Sequence, residues 1–124
     1  MAIHYNLAKV FAKTKGNETL LRNEIIAFVH RVPVEMKSLI VNIKNKRYFI
    51  AAYLAKEIKP ALELMGMTIA YDEIILVENW AAKQGKRREI EATIDSIKTQ
   101  IDKAIKEMNK EYKVFETVKN TLDA

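Results

Sequence analysis

The 124-residue sequence is long enough for one domain, and its hydrophobic fraction of 49% allows a single core without cross-links. It contains no cysteine, which excludes disulfides, thiolate metal sites and a cysteine nucleophile. No segment approaches the roughly 20 apolar residues of a membrane span, and the first residues do not resemble a signal peptide. We therefore expect one soluble, cytoplasmic domain over 1–124.

The net charge is +5 and the sequence pI is near 9.4, so nucleic acid or an acidic protein surface must be considered as a partner. Most basic residues are dispersed among acidic ones. The only tight run is Lys86-Arg87-Arg88, next to Gly85. We interpret this run as the solvated start of the last helix, and we expect neither a nucleic-acid nor a membrane partner.

The first two predicted helices differ in length. A short amphipathic helix is predicted from Ile3, Leu7, Val10 and Phe11, and it ends near 15–17. Asn17 then precedes an acidic turn and predicts a helix cap. The apolar stripe of the second helix keeps helical spacing to about Asn45 and consists of Leu21, Ile25, Phe28, Val32, Met36, Leu39 and Ile43. Because the stripe keeps its phase through Pro33, we predict one kinked helix and not two.

The third predicted helix occupies 47–66. Its apolar residues at helical spacing are Ile50, Leu54, Ile58, Ala61 and Met65, which predict the buried face. The opposite face carries Ala52, Lys56, Lys59 and Glu63, with Phe49 and Pro60 at its edge. We expect this strip to be exposed.

The fourth predicted helix runs from a cap at Thr68 to Gln84, and Gly85 ends it. Its inner face is predicted to comprise Ala70, Ile74, Val77 and Ala81, widened by Ile69, Leu76 and Trp80. We expect Met65 and Met67 to fill gaps in the core, and Tyr71 and Trp80 to lie in the core or at its rim.

The last predicted helix extends from about 87 to 118, near 48 Å at 1.5 Å per residue. Its apolar face comprises Ile90, Ile94, Ile97, Ile101, Ile105, Met108, Tyr112 and Phe115. Its end should overhang, pack on the first helix or meet another chain. The predicted fold is all-α, an antiparallel up-down four-helix bundle with a short extra N-terminal helix.

No constellation for catalysis or metal binding is present in the sequence. The two histidines, His4 and His30, are far apart and lack the spacing of helical metal ligands. There is no glycine-rich phosphate loop, nucleophile elbow or pair of catalytic carboxylates. We therefore expect no enzymatic activity, no cofactor and no metal.

The segment 56–66, Lys-Glu-Ile-Lys-Pro-Ala-Leu-Glu-Leu-Met-Gly, resembles the signature of histidine-containing phosphotransfer (HPt) domains, His-x-Leu-Lys-Gly-(Ser/Ala)-(Ser/Ala)-x-x-Leu-Gly. Ile58, Lys59, Ala61, Met65 and Gly66 match in kind. The entry to the second helix, Gly-Asn-Glu over 16–18, and the Val-Glu pair over 77–78 are similar to the family's layout. The resemblance implies a phosphorelay module that docks on a response-regulator receiver domain or a hybrid sensor kinase.

The sequence departs from this family at the reactive position, where Lys56 stands in place of the phospho-accepting histidine. A lysine amine is mostly in its protonated ammonium form at pH 7, and this form has no free lone pair for attack. Lys59 occupies the family's lysine, and Pro60 replaces its glycine. The resemblance therefore implies binding without phosphate relay, with Phe49, Ala52, Lys56, Lys59, Pro60 and Glu63 as partner-binding residues and no catalytic residue.

Two other functions are compatible with the sequence. One is a stand-alone helical interaction protein, of the immunity or assembly type, that homodimerises through Tyr112, Phe115 and Val118 on its last helix. The other is phosphotransfer through His30. The latter is the weakest, because no companion resembling Lys59 and Gly66 accompanies that histidine.

Overall fold

A computed structural model describes residues 3–114 of the chain. These residues contain five α-helices, with a single 3₁₀ turn at Arg87–Glu89, and no strand. The prediction of an all-helical chain is thus confirmed. The helices are α1 (Ala8–Thr14), α2 (Glu18–Lys44), α3 (Tyr48–Leu64), α4 (Thr68–Ala82) and α5 (Glu91–Tyr112).

Helix α2 is continuous through Pro33, as its unbroken apolar stripe predicts. The side-chain carbonyl of Asn17 accepts a hydrogen bond from the amide of Leu20 at 3.0 Å, which confirms the predicted cap. Every residue of the predicted stripe is buried: Leu21, Ile25, Phe28, Val32, Met36, Leu39 and Ile43. Burial on both sides of Pro33 compensates for the backbone hydrogen bond that proline removes, a loss of about 3 kcal/mol in an unsupported helix.

The N-terminal segment differs from the prediction. Helix α1 begins only at Ala8, so Ile3 precedes it, and both Ile3 and Phe11 are exposed. Residues 3–7 instead lie along the folded chain: the amide of Asn6 donates to the carbonyl of Met65 at 2.8 Å. Amphipathic spacing alone could not predict this, because the segment is held by backbone and polar contacts and not by a helical face.

Tyr5 and Glu107 fix this segment against α5. The buried Tyr5 donates its hydroxyl hydrogen bond to Glu111 at 2.9 Å, and burial together with that carboxylate raises the pKa of Tyr5. Burial alone would raise the pKa of Glu107, but hydrogen bonds from the amides of Ile3 and His4, both at 2.8 Å, outweigh it and lower that pKa.

The orientation of α3 differs by about one residue from the predicted one. The buried residues are Ala51, Ala55, Ile58 and Leu62, whereas Ile50 is exposed and Leu54 and Ala61 are half-buried. The reason is that α3 contacts α2 on one side and α4 on the other. The buried residues of α3 face the space between α2 and α4, where the small alanine side chains permit the helices to approach closely. The larger Ile50 and Leu54 lie beside this buried line.

The inner face of α4 is confirmed by the burial of Ala70, Ile74, Val77 and Ala81. The prediction that Ile69, Leu76 and Trp80 widen this buried face is right for Trp80, which is buried. It is wrong for Ile69 and Leu76, which are exposed. Thr68 is the first helical residue and not the cap.

Gly85 follows α4 for a steric reason. A Cβ at this position would lie 2.4 Å from the indole ring of Trp80. The left-handed residue after the helix is Gln84, with φ of 51°. The glycine therefore makes room for Trp80, whose indole nitrogen donates to the carbonyl of Lys86 at 2.9 Å.

Helix α5 is shorter than predicted. The 3₁₀ turn precedes it, and it ends at Tyr112, because Lys113 adopts left-handed backbone angles with φ of 52°. Its 22 residues correspond to a length of about 33 Å. The predicted apolar face is buried from Ile90 to Met108, Tyr112 is half-buried against the core, and Phe115 and Val118 lie outside the described residues.

The helices share one core. Helix α3 packs chiefly on α4 and α2, α5 packs on α4 and α2, and α1 lies on α2. Met65 and Met67 are buried where the α3–α4 connection meets the N-terminal segment, as expected for residues that fill the core. Among the helices of residues 3–114, α2 and α4 pack on two sides of α3, and its remaining side is contacted only at its end, where Lys9 of α1 reaches Glu63.

Candidate functional site

The uncovered side of α3 is a continuous stripe of exposed residues. Phe49, Tyr53, Lys56, Pro60 and Glu63 are all exposed and follow one another at steps of four, three, four and three. That spacing places them on one face of a helix. We call this set the outer stripe.

The first half of the outer stripe is aromatic. Phe49 is 88% exposed and Tyr53 is 58% exposed, and Ile50 lies beside them with 43% of its surface exposed. Isolated exposed apolar residues are common, but large apolar residues grouped on one helix face are typical of binding surfaces. Tyr53 was not among the residues predicted for this site. Its spacing of four from Phe49 and three from Lys56 was the signal that could have identified it.

The second half of the outer stripe carries charge. Lys56 is exposed and makes no ion pair with any residue between 3 and 114. Glu63 forms a surface ion pair with Lys9 of α1 at 3.4 Å. Pro60 has no amide hydrogen, so the carbonyl of Lys56 lacks its usual helical donor. The polar groups around Lys56 are thus an ammonium and a carbonyl, both available to a partner.

Two of the predicted binding residues do not lie on the outer stripe. Ala52 and Lys59 are half-buried, and the ammonium of Lys59 lies 2.9 Å from a carboxylate oxygen of Glu78 in α4. The expected open pair of lysines is therefore not formed. The cause is the orientation of α3: positions 52 and 59 face α4, while position 56 faces outward.

The other flank of α3 is held to α2 by a second ion-pair group. Arg31 contacts Glu35 at 2.6 Å and Glu57 at 3.6 Å. The buried line of α3 and the Lys59–Glu78 ion pair hold this helix, and the exposed Arg31–Glu57 pair adds little, so the outer stripe is presented by a helix that is already packed in the free chain. A fixed helix loses little conformational entropy when it binds a partner.

Two cavities border the outer stripe. One measures about 210 Å³ and is lined in part by Pro60 and by Arg31 of α2, and the other measures about 450 Å³ and is lined in part by Glu63 and Lys9. Neither cavity is lined by Phe49, Tyr53 or Lys56, so these three residues form a convex surface of the kind that suits a protein partner.

Neither histidine forms a chemical site with its surroundings. His30 is exposed on α2, and the ring of His4 contacts Glu107 at 3.0 Å. Within residues 3–114 there is no group of three or more metal-ligating side chains. Across the same residues, no helix has both the length and the apolar character needed to cross a membrane.

No known family profile, curated protein or solved structure matches this chain. Its function must therefore be inferred from its own residues.

Proposed function

We propose that the chain is an HPt-like module that binds a response-regulator receiver domain, or the kinase that carries one, through the outer stripe and without relaying phosphate. The observation that carries this proposal is the placement of exposed Phe49 and Tyr53 next to the unpaired Lys56 on one helix face. The resemblance of segment 56–66 to the phosphotransfer signature supports the choice of partner. Such a partner implies a cytoplasmic protein.

The two halves of the outer stripe have complementary roles in this proposal. Buried aromatic residues supply much of the affinity at protein interfaces, and Phe49 and Tyr53 are the candidates for that role. Lys56 supplies a positive charge for the acidic, metal-binding pocket of a receiver, where it gives specificity and speeds association. Glu63 lies at the far end of the outer stripe. Its carboxylate disfavours a partner that places a negative charge opposite this end.

Phosphate relay is not part of the proposal, because a protonated Lys56 cannot attack an aspartyl phosphate. The ion pair of Lys59 with Glu78 adds a second reason. A lysine held by a carboxylate at 2.9 Å is not free to stabilise a phosphoryl group one turn away. The function proposed for the site is recognition.

We also propose an antiparallel up-down arrangement of α2 to α5, with α1 as the extra helix. Support comes from the contacts, because each of these four helices packs on two others of the set: α2 on α3 and α5, and α4 on α3 and α5. The short connections between α2, α3 and α4 favour antiparallel neighbours. Of the residues that would form a homodimer through the last helix, Tyr112 packs on the core, and Phe115 and Val118 lie outside the described residues.

The proposal is tested by titrating a panel of purified receiver domains with the intact chain. At least one receiver should bind, and Lys56→Glu should weaken that complex at least about tenfold, whereas Lys103→Glu on α5 should not. The two changes alter net charge equally, so their comparison isolates the position of the charge. Failure of every receiver to bind, or equal loss in both variants, would contradict the proposal.

A labelling experiment tests the absence of relay separately. After incubation with a phosphorylated receiver, the chain should carry no acid-labile phosphate. Label on His30 or His4 would show that relay occurs through a displaced histidine. The variant Lys56→His separates the two reasons: label on this variant would show that Lys56 alone prevents relay, and absence of label would show that the Lys59–Glu78 ion pair is enough to prevent it.

A further inference from the structure

The basic residues of the chain are not evenly distributed in space. The connection between α2 and α3 contributes Lys44, Lys46 and Arg47, all exposed. None of these three has an ion-pair partner among residues 3–114. This connection is separated in sequence by almost forty residues from the basic run that follows α4.

The connection between α4 and α5 supplies the second basic group, which comprises Lys83, Lys86, Arg87 and Arg88, again all exposed. Two acidic residues accompany it. The carboxylate of Glu89 accepts a hydrogen bond from the amide of Lys86, and Glu91 pairs with Arg87 at 3.0 Å. Both acids are thus engaged locally.

Two independent contacts bring these connections together. The hydroxyl of Tyr48, the first residue of α3, donates to the carbonyl of Gly85 at 2.9 Å, and the Tyr48 ring lies 5.3 Å from that of Trp80. In addition, Lys44 and Arg87 line one cavity of about 260 Å³ between the end of α2 and the start of α5. We call the two connections together, residues 44–47 and 83–91, the basic end.

The basic end carries most of the excess charge of the whole molecule. Its seven basic and two acidic residues, taken with Asp95, which lines the same cavity as Lys44 and Arg87, have a formal charge of +4, and the net charge of the complete sequence is +5. The remainder of the chain therefore has a formal charge of only +1. A field concentrated at one end attracts a polyanion far more strongly than the same charge spread over the surface.

We propose that the basic end binds the phosphodiester backbone of double-stranded nucleic acid, without reading its sequence. The residues between the helices are Asn-Lys-Arg over 45–47 and Lys-Gln-Gly-Lys over 83–86, followed by Arg87 and Arg88. Arginine, lysine, asparagine and glutamine are the side chains that contact phosphates in such complexes. These basic side chains lie mostly on the connections and not along one exposed helix face, a placement that favours contact with the backbone over reading of bases in a groove.

A membrane surface is the less favoured anionic partner. Neither 45–47 nor 83–88 contains a large apolar residue that could insert among acyl chains, and the exposed Phe49 and Ile50 that follow belong to the face of α3 that carries the outer stripe, so lipid binding would rest mainly on charge. Duplex DNA carries one negative charge per about 1.7 Å of its axis, and its condensed counterions are released on binding. The run 86–88 alone did not predict nucleic-acid binding. The fold places a second basic group, residues 44–47, beside that run, and the expectation changes for this reason.

The test uses fluorescence anisotropy of the intact chain with a labelled DNA duplex at several salt concentrations. If five or six phosphates are contacted, the logarithm of the association constant should fall with the logarithm of salt concentration with a slope of about −5. Two duplexes of unrelated sequence should bind equally. Absence of binding in low salt, or a marked preference between the two duplexes, would overturn the proposal.

The variant Arg47→Glu/Arg88→Glu locates the contact. Each change places an acid near the start of a helix, where the helix dipole favours it, so the fold should be retained. It should weaken duplex binding at least about tenfold and reduce the salt slope by about 2. The control Lys103→Glu/Lys106→Glu reverses two charges on α5, about 18 and 22 Å from the start of that helix, and should leave most of the affinity intact.

Vesicles of phosphatidylserine and phosphatidylcholine provide the remaining comparison. They should compete with the duplex only weakly at equal total anionic charge. Competition as strong as that of unlabelled duplex, or equal loss in the two double variants, would contradict nucleic-acid binding at the basic end. Since Lys56 is unchanged in both variants, the result is independent of receiver binding.

Discussion

The ammonium of Lys59 lies 2.9 Å from a carboxylate oxygen of Glu78, and this ion pair joins α3 to α4 in a half-buried position. It gives different roles to Lys56 and Lys59, which lie about one turn apart on α3. Lys59 stabilises the contact between the helices, and Lys56 is left as the cation that a partner can reach. We regard this separation as the main correction that the structure makes to the candidate site.

A double-mutant cycle on Lys59 and Glu78 tests that structural role. The variants Lys59→Met and Glu78→Gln, alone and together, should give a coupling free energy of unfolding of about 1 kcal/mol, at the upper end of the range for partly exposed pairs. The exposed pair Lys98 and Asp102 has the same distance of 2.9 Å and serves as the control. Its coupling should be smaller, about 0.3–0.5 kcal/mol, because solvent screens it more. Equal couplings in the two pairs would contradict our assignment of Lys59.

The aromatic half of the outer stripe should matter for binding and not for stability. Phe49→Ala and Tyr53→Ala should each weaken binding to a receiver at least about tenfold, because their side chains become buried only in the complex. Their urea midpoints should remain near that of the wild type, since both residues are mostly exposed in the free chain. Phe11→Ala is the matched control, as Phe11 is an exposed aromatic residue on α1. Loss of binding in that control as well would mean that binding follows general surface hydrophobicity.

The contact of Tyr5 with Glu111 should make stability depend on alkaline pH. Because burial and the hydrogen bond raise the pKa of Tyr5 in the folded state, the unfolded chain loses this proton first as the pH rises. The stabilisation is fully present below the usual tyrosine pKa of about 10 and decreases as the pH rises above that value.

Denaturation of Tyr5→Phe and of the wild type at neutral and alkaline pH measures this effect. At pH 7 the variant should be less stable by about 1 kcal/mol, because it lacks the hydrogen bond to Glu111. The difference should shrink above about pH 10. Tyr53→Phe is the control, since its hydroxyl has no hydrogen-bond partner within residues 3–114, and its effect should not vary in this way. A constant difference for Tyr5→Phe would refute the linkage.

The sequence predicted the helices more reliably than their orientations. Helix α2 has large apolar residues at every turn, so its buried face was correctly identified through Pro33. Helix α3 has apolar residues on several sides. Its large apolar residues predicted a buried face that includes Ile50, but Ile50 is exposed. Only the positions of the neighbouring helices show that small Ala51 and Ala55 form the close contact.

The candidate sites also depend on contacts between helices, which the sequence pattern of one helix does not predict. Phe49, Lys56, Pro60 and Glu63 were correctly predicted to be exposed, whereas Lys59 could not be paired with Glu78 before α3 and α4 were placed together. The basic end shows the effect more strongly. Its two halves are distant in the sequence, and they form one surface because Tyr48 contacts Gly85 and because Lys44 and Arg87 line one cavity.

Mapping of amide chemical shifts is the most direct test of the central claim, that the outer stripe is a docking surface for a receiver. The ¹⁵N-labelled chain is titrated with a receiver domain selected by the binding assay. We predict that shifts concentrate between 49 and 63 on the exposed side of α3, include Tyr53 and Lys56, and disappear for Lys56→Glu. Shifts confined to α1, α5 or the basic end, with the outer stripe unchanged, would contradict the account.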